Sequence, residues 1–149
     1  MSLKEDLTQS LKEAMKANDG LRKNTLRLAL SAIKLAEVEK QEDLDETHVT
    51  ALLQKEVKSR KETQVDAEKA GREDLFAEAA EEIKVLEEFL PEAMSDAELS
   101  MLVRDTIAQV GATSPAEMGK VMGALMPLVQ GRADGGKLSA LVREQLQGN

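Results

Sequence analysis

The chain has 149 residues, enough for one domain or two very small ones. It contains no cysteine, which excludes disulfides, thiolate catalysis and Cys-ligated zinc. Its formal net charge of −8 opposes loose, charge-driven attraction to nucleic acid or to an anionic membrane.

Residues 1–90 hold 15 basic and 21 acidic side chains, and residues 91–149 hold 5 and 7. Neither part is basic, so any nucleic-acid contact must come from a local patch. Phe76 and Phe89 are the only aromatic residues. A core must therefore be filled by Leu, Ile, Val, Ala and Met, as in a helix bundle. The start, Met-Ser-Leu-Lys-Glu-Asp, is charged at once and has no apolar run. No uncharged stretch reaches the roughly 20 residues of a membrane span. A cytoplasmic location without a membrane partner is the expectation.

Period 3.6 runs through the chain and period two does not appear, so the fold class expected is all-α. Ser2 caps a first helix with Leu3, Leu7, Leu11, Ala14 and Met15 on one side, ending near Asn18-Asp19-Gly20. A second helix starts near Leu21. Its apolar residues, from Leu26, Leu28, Ala29 and Leu30 to Ala32, Ile33, Leu35 and Ala36, make so wide a face that cover on two sides is expected. Asp45 caps a long third helix with Val49, Leu52, Leu53 and Val57 in the core. Its stripe thins after Lys58, as if it projected into solvent, and Ala70-Gly71 stops it. A fourth helix carries Leu75, Phe76, Ala79, Ile83, Leu86 and Phe89. The short connection makes residues 46–89 a helical hairpin.

Leu90-Pro91 closes that part, and a boundary is expected at 91–95. This gives an N-terminal helical domain, 1–92, and a small C-terminal three-helix domain, 95–149. Ser95-Asp96-Ala97-Glu98 and Ser114-Pro115-Ala116-Glu117 have the pattern of capping boxes. The first opens a helix running to Gly111. Pro127 should kink or end the helix opened by the second. Asp134 caps a last helix with Leu138, Leu141, Val142 and Leu146.

Several motifs invite a chemical reading beside a plainer one. Gly131 to Lys137 has the spacing G-x-x-x-x-G-K. A nucleotide P-loop needs Ser or Thr next and a strand before; Leu138 follows, and no strand pattern precedes it. Gly131 and Gly135, with Arg132 and Lys137 beside them, would still suit a phosphate at a helix start. The plainer reading is a turn capped by Asp134. Gly119 and Gly123 lie four apart in one helix, where each costs about 1 kcal/mol relative to alanine. Close packing inside the chain, or contact with a ligand backbone beside Lys120, would account for them. Met118, Met122 and Met126 share a face that is core or an adaptable groove.

Lys55, Lys58, Arg60 and Lys61 cluster on the third helix, with Lys58 and Lys61 adjacent and Arg60 off to another side. Arg27 and Lys34 share one face of the second helix, free for RNA or paired with neighbouring acids. Glu78, Glu81 and Glu82 read as a solvated face, because a di-iron bundle needs Glu-x-x-His pairs and His48 is the only histidine. No catalytic triad, metal site or cofactor is expected.

Taken together, several segments resemble the YqeY family. They are Leu26-Arg27-Leu28 with Ala32-Ile33-Lys34, and Lys55-Glu56-Val57-Lys58-Ser59-Arg60-Lys61-Glu62. Ala70-Gly71-Arg72-Glu73-Asp74-Leu75, Glu82-Ile83 and Leu90-Pro91 follow. Last come Met118-Gly119-Lys120-Val121-Met122-Gly123 and Gly131-Arg132-Ala133-Asp134-Gly135. The resemblance implies a two-part helical protein similar to the tail of the B subunit of the glutamine-dependent, tRNA-dependent amidotransferase. That tail helps to hold tRNA, while catalysis lies in another domain.

The expectation is therefore a tRNA-binding or tRNA-associated module with no activity of its own. Carbon–nitrogen ligase activity would follow from the resemblance alone. RNA-binding candidates are Lys120, Arg132 and Lys137 with Gly119, Gly123, Gly131 and Gly135; Arg27, Lys34, Lys58 and Lys61 are secondary. Expected partners are tRNA, the amidotransferase or another translation-related protein, and not DNA. A protein-interaction adaptor acting through the hairpin is the alternative.

Overall fold

A computed structural model describes residues 2–129 and 131–148, and the chain is all-α, with seven α-helices and no strand among the described residues. It divides into two compact units, Met1–Leu90 and Pro91–Asn149.

The N-terminal unit comprises α1 (Leu3–Lys16), α2 (Gly20–Lys40), α3 (Glu46–Lys69) and α4 (Glu73–Glu87). Local chemistry sets most of the ends. Ser2 and Glu5 exchange the two bonds of a capping box at the start of α1. Asp19 and Asp45 accept the backbone N–H of Arg22 and His48 at the starts of α2 and α3. Gly71, at φ +68°, turns the chain between α3 and α4, a conformation glycine adopts without a Cβ penalty. The end of α2 has no such signal in its sequence: Gln41, not glycine, takes the left-handed φ of 58°.

The core joins Leu7 and Ala14 of α1, Leu26, Ala29 and Ile33 of α2, Val49, Leu53 and Val57 of α3, and Ile83, Val85 and Leu86 of α4. Phe89 packs on it from just beyond α4 rather than from within the helix. Helix α2 touches α1, α3 and α4 and so is central, as its wide face foretells. Among the described residues the second side is not covered: Leu28, Leu35 and Val38 are 59, 61 and 64% exposed.

The far half of α3 is less bare than its thin apolar stripe suggests. It lies along α4, with Arg60 and Ala67 buried. Arg60 Nε donates to Glu82 of α4 at 2.6 Å, and its Nη1 donates to Glu56 at 2.8 Å. Further ties hold the unit: Lys4 to Glu37 at 2.7 Å and Arg22 to Glu88 at 2.6 Å. Glu37 also accepts the Leu44 N–H, and the Lys4 ammonium together with that bond holds its carboxyl below the usual range.

The C-terminal unit comprises α5 (Asp96–Val110), a single 3₁₀ turn (Pro115–Glu117), α6 (Met118–Val129) and α7 (Gly135–Gln147). Each helix contributes a buried ridge at four-residue spacing: Leu99, Val103, Ile107; Val121, Leu125, Val129; and Leu138, Val142, Leu146. Ridges of this spacing interdigitate and fill a small core without aromatics. Gly111, at φ +71°, closes α5. Glu117 accepts the backbone N–H groups of Thr113 and Ser114, which hold its carboxyl below the ordinary value.

Pro127 neither ends nor bounds α6, which runs two residues further to Val129. The lost bond is the one Pro127 would have given the Gly123 carbonyl, and Gly123 lies on the exposed face where solvent can replace it.

Candidate functional site

The outward face of α6 is the most unusual surface of the C-terminal unit. The ridge Val121, Leu125, Val129 turns into the core, and Gly119 and Gly123, each two residues earlier, fall on the opposite side. A Cβ built on either glycine would meet nothing within 4 Å outside its own helix. This corrects the expectation that the glycines admit tight packing inside the chain. The backbone of α6 is instead laid open to solvent, with Lys120 exposed between the glycines. Met126 and Leu128, 50 and 54% exposed, extend the surface, whereas Met118 and Met122 pack against the core. The methionine stripe is thus split between core and surface.

Arg132 and Lys137 do not present free charge beside these glycines. Arg132 Nε donates to the Glu92 carbonyl at 2.8 Å, its own carbonyl accepts from Met94 N–H at 2.9 Å, and its guanidinium lies 3.8 Å from Glu98. The Lys137 ammonium pairs with Asp96. Both cations clasp the segment leading into α5. The acids they meet are ones that a helix start favours, since Asp96 and Glu98 stand in the first turn of α5. Ser95 accepts from Glu98 N–H as a capping residue should.

The glycines around Arg132 are accounted for by local geometry. Gly131 has φ +81° and serves a left-handed turn. Gly135 opens α7 with free space around it. The Asp134 carboxylate caps α7 by accepting Lys137 N–H at 3.1 Å, so an anion of the chain itself holds the place a phosphate would take. The G-x-x-x-x-G-K spacing is a helix-capping turn.

The N-terminal unit sorts its cations in two. Arg60 leaves the basic cluster altogether: it is buried and tied to two carboxylates. Glu82 is correspondingly a cross-helix partner rather than part of a solvated acidic face, while Glu78 and Glu81 are exposed. Periodicity alone hides this pairing. The one available signal was Glu56 and Arg60 at i, i+4. Lys55, Lys58 and Lys61 on α3, and Arg27 and Lys34 on α2, are exposed and meet no acid among the described residues.

His48 sits 2.7 Å from Asp45, which also caps the helix. The His48 N–H and ring hold the Asp45 carboxyl below its ordinary range. The pair closes the first turn of α3. Among the described residues no buried side-chain N or O lacks a partner, and no group of three His, Asp or Glu is gathered for a metal ion. No helix among them is long and apolar enough to cross a membrane.

These observations define a class: an all-α chain of two compact helical units. The chain belongs to the family of Yqey-like proteins, which it matches over residues 4–146. It is similar to "Altered inheritance of mitochondria protein 41, mitochondrial" of Kluyveromyces lactis, 44% identical over 84 residues, covering 56% of this chain and 45% of that protein. The protein of the same name from Lachancea thermotolerans is 33% identical over 114 residues, covering 74% of this chain and 61% of that protein. The chain thus spans about half the length of the curated relatives it matches.

The relatives' names overturn the expectation of a cytoplasmic location, since each is named as a mitochondrial protein. The expectation rested on the composition of the folded helices and the first residues. Compartment addresses are read by receptors and leave no trace in a domain's packing.

Proposed function

We propose that this chain is a non-catalytic, tRNA-associated binding module that works through the outward face of α6. The observation that carries the reading is the open main chain at Gly119 and Gly123 beside the exposed Lys120, whose charge also reaches the Glu117 carboxylate one turn back. A helix without Cβ atoms lets a sugar-phosphate backbone come within reach of the peptide groups, and Lys120 supplies a phosphate contact that positions RNA without reading its sequence. Resemblance to the amidotransferase tail supports the same reading and suggests the amidotransferase or another translation-related protein as a companion. Arg132 and Lys137 contribute less than an unpaired cation would. Their side chains are 41 and 52% exposed, and exchanging a surface carboxylate for a phosphate changes the energy little.

The test is binding of labelled tRNA over a salt series. Lys120→Ala should weaken binding and lower the salt slope by about one charge. Gly123→Leu should weaken it by closing the approach to the backbone. Absence of binding at low salt defeats the proposal. Any amido transfer would rest on the family alone, and the purified chain is expected to show none with misacylated tRNA.

A second reading, a protein-interaction adaptor, has its own observation. Val65 of α3 and Leu75 and Phe76 of α4, toward the Gly71 turn of the hairpin, are 50, 39 and 40% exposed. A partner recovered after RNase treatment, and lost with Phe76→Glu, would favour this reading.

A further inference from the structure

The outward side of α2 carries a short coiled-coil seam. With Leu28 and Leu35 in the a positions of a heptad, Ser31 and Val38 fall in d. Of the buried residues, Leu26, Ala29 and Ile33 fall in f, b and f, on the side turned to the core, and Thr25, a turn before the seam, falls in e. The seam is therefore directed away from the chain's own packing, and its three apolar members are 59 to 64% exposed. Arg27 and Lys34 take the g positions along one edge, and Ala32 and Glu39 the e positions along the other. Lys34 and Glu39 are both exposed and meet no partner within the chain among the described residues.

We propose that this face binds a second copy of the same chain, α2 against α2 in parallel about a twofold axis. The edge charges argue for that occupant. In a parallel pair the g residue of one helix meets the e residue five positions on in the other, which joins Lys34 to Glu39 of the second copy twice over. An antiparallel self-pairing brings like edges together and sets Arg27 and Lys34 against their own copies. The stretch from Arg27 to Glu39 spans about 18 Å, just under two heptads, so the contact belongs to the small, reversible class of interface. The wide apolar face of α2 is then covered on its second side only in the dimer.

Sedimentation velocity on the full chain tests this. Wild type should self-associate with a dissociation constant on the order of 100 µM. Leu35→Asp should remove association, and Lys34→Glu should weaken it by about tenfold, while Lys34→Glu with Glu39→Lys restores it. All these positions are exposed, and unchanged thermal melts would show that the monomer is intact. Because the chain has no cysteine, Asn24→Cys provides a unique crosslink at the next d position. A parallel pair sets residue 24 against its copy and forms a disulfide-linked dimer; an antiparallel pair does not. A monomer at about 1 mM, association unaffected by Leu35→Asp, or no crosslink from Asn24→Cys would each overturn the proposal.

Discussion

In the N-terminal unit, ion pairs run from helix to helix: Lys4 to Glu37, Arg22 to Glu88, and a buried Arg60 to Glu82. In the C-terminal unit the core is three apolar ridges. The cross-segment pairs of Arg132 and Lys137 lie at one clasp, where residues 92–98 meet 131–137. The contrast bears directly on function. Cations that look available in the sequence are partly engaged in both units, but for different ends. In the first they select helix neighbours; in the second they pin a chain entry. Open among the described residues are the glycine face of α6 beside Lys120, the seam of α2 with Arg27 and Lys34, Lys55, Lys58 and Lys61 of α3, and the apolar side chains near the Gly71 turn.

The contrast can be broken most strongly at the cores. Leu125→Ala, at a fully buried site, should cost about 3 kcal/mol. A unit as small as residues 91–149 holds about 3–9 kcal/mol in all. Amide exchange should therefore lose most of its protection in α5 to α7. The same change at Leu53 should leave α1 to α4 folded, because the larger unit has more to lose. Retained protection in the Leu125 variant would show that the ridges are not what holds the C-terminal unit.

Next in size is Arg60→Ala, expected to cost about 2 kcal/mol by leaving Glu56 and Glu82 without their partner. The figure is reduced from the buried-pair range because those carboxylates are 28 and 24% exposed. Removing charge from both sides, with Arg60→Met and Glu82→Leu, should cost less than the single change in denaturant unfolding. If it costs more, the pair itself supplies net stability.

Gly119→Ala and Gly123→Ala should each raise the stability of the C-terminal unit, by about 0.5–1 kcal/mol, since the added Cβ meets open space and alanine favours the helix. A rise in melting temperature together with weaker tRNA binding would separate function from folding at these positions.

The smallest effect is a pH dependence at Glu117. Its folded-state pKa is lowered, first by the Thr113 N–H and then by the Ser114 N–H. The stability it contributes is present above the ordinary glutamate value of 4.5 and is lost as pH falls through the lowered folded-state value. Melts of Glu117→Gln should therefore lie below wild type at pH 7 and converge with it on acidification below 4.5. Parallel curves would remove the carboxylate from the account.

The helices and most of their ends were legible in the sequence. The caps Ser2, Asp45, Ser95 and Asp134, and the stops at Gly71 and Gly111, act through bonds or φ values within a few residues, so local pattern suffices to find them. The end of α2 was not legible, because Gln41 carries no glycine signal for its left-handed φ. Pro127 does not end α6, because the carbonyl it leaves without a partner, that of Gly123, lies on the exposed side of the helix.

The family, too, can be read from the order of its motifs. What only tertiary structure decided is direction. Sequence spacing places Gly119, Gly123, Arg60 and Arg132 on helices or turns, yet does not say what lies across from them. Long-range packing turned the two glycines to solvent, buried Arg60 against Glu82, and brought Glu92 and Glu98 to Arg132. Local periodicity is set by bonds between near neighbours in the chain. The partner of an exposed or buried charge is set by residues about 20 to 40 positions away, and only the folded chain brings those together.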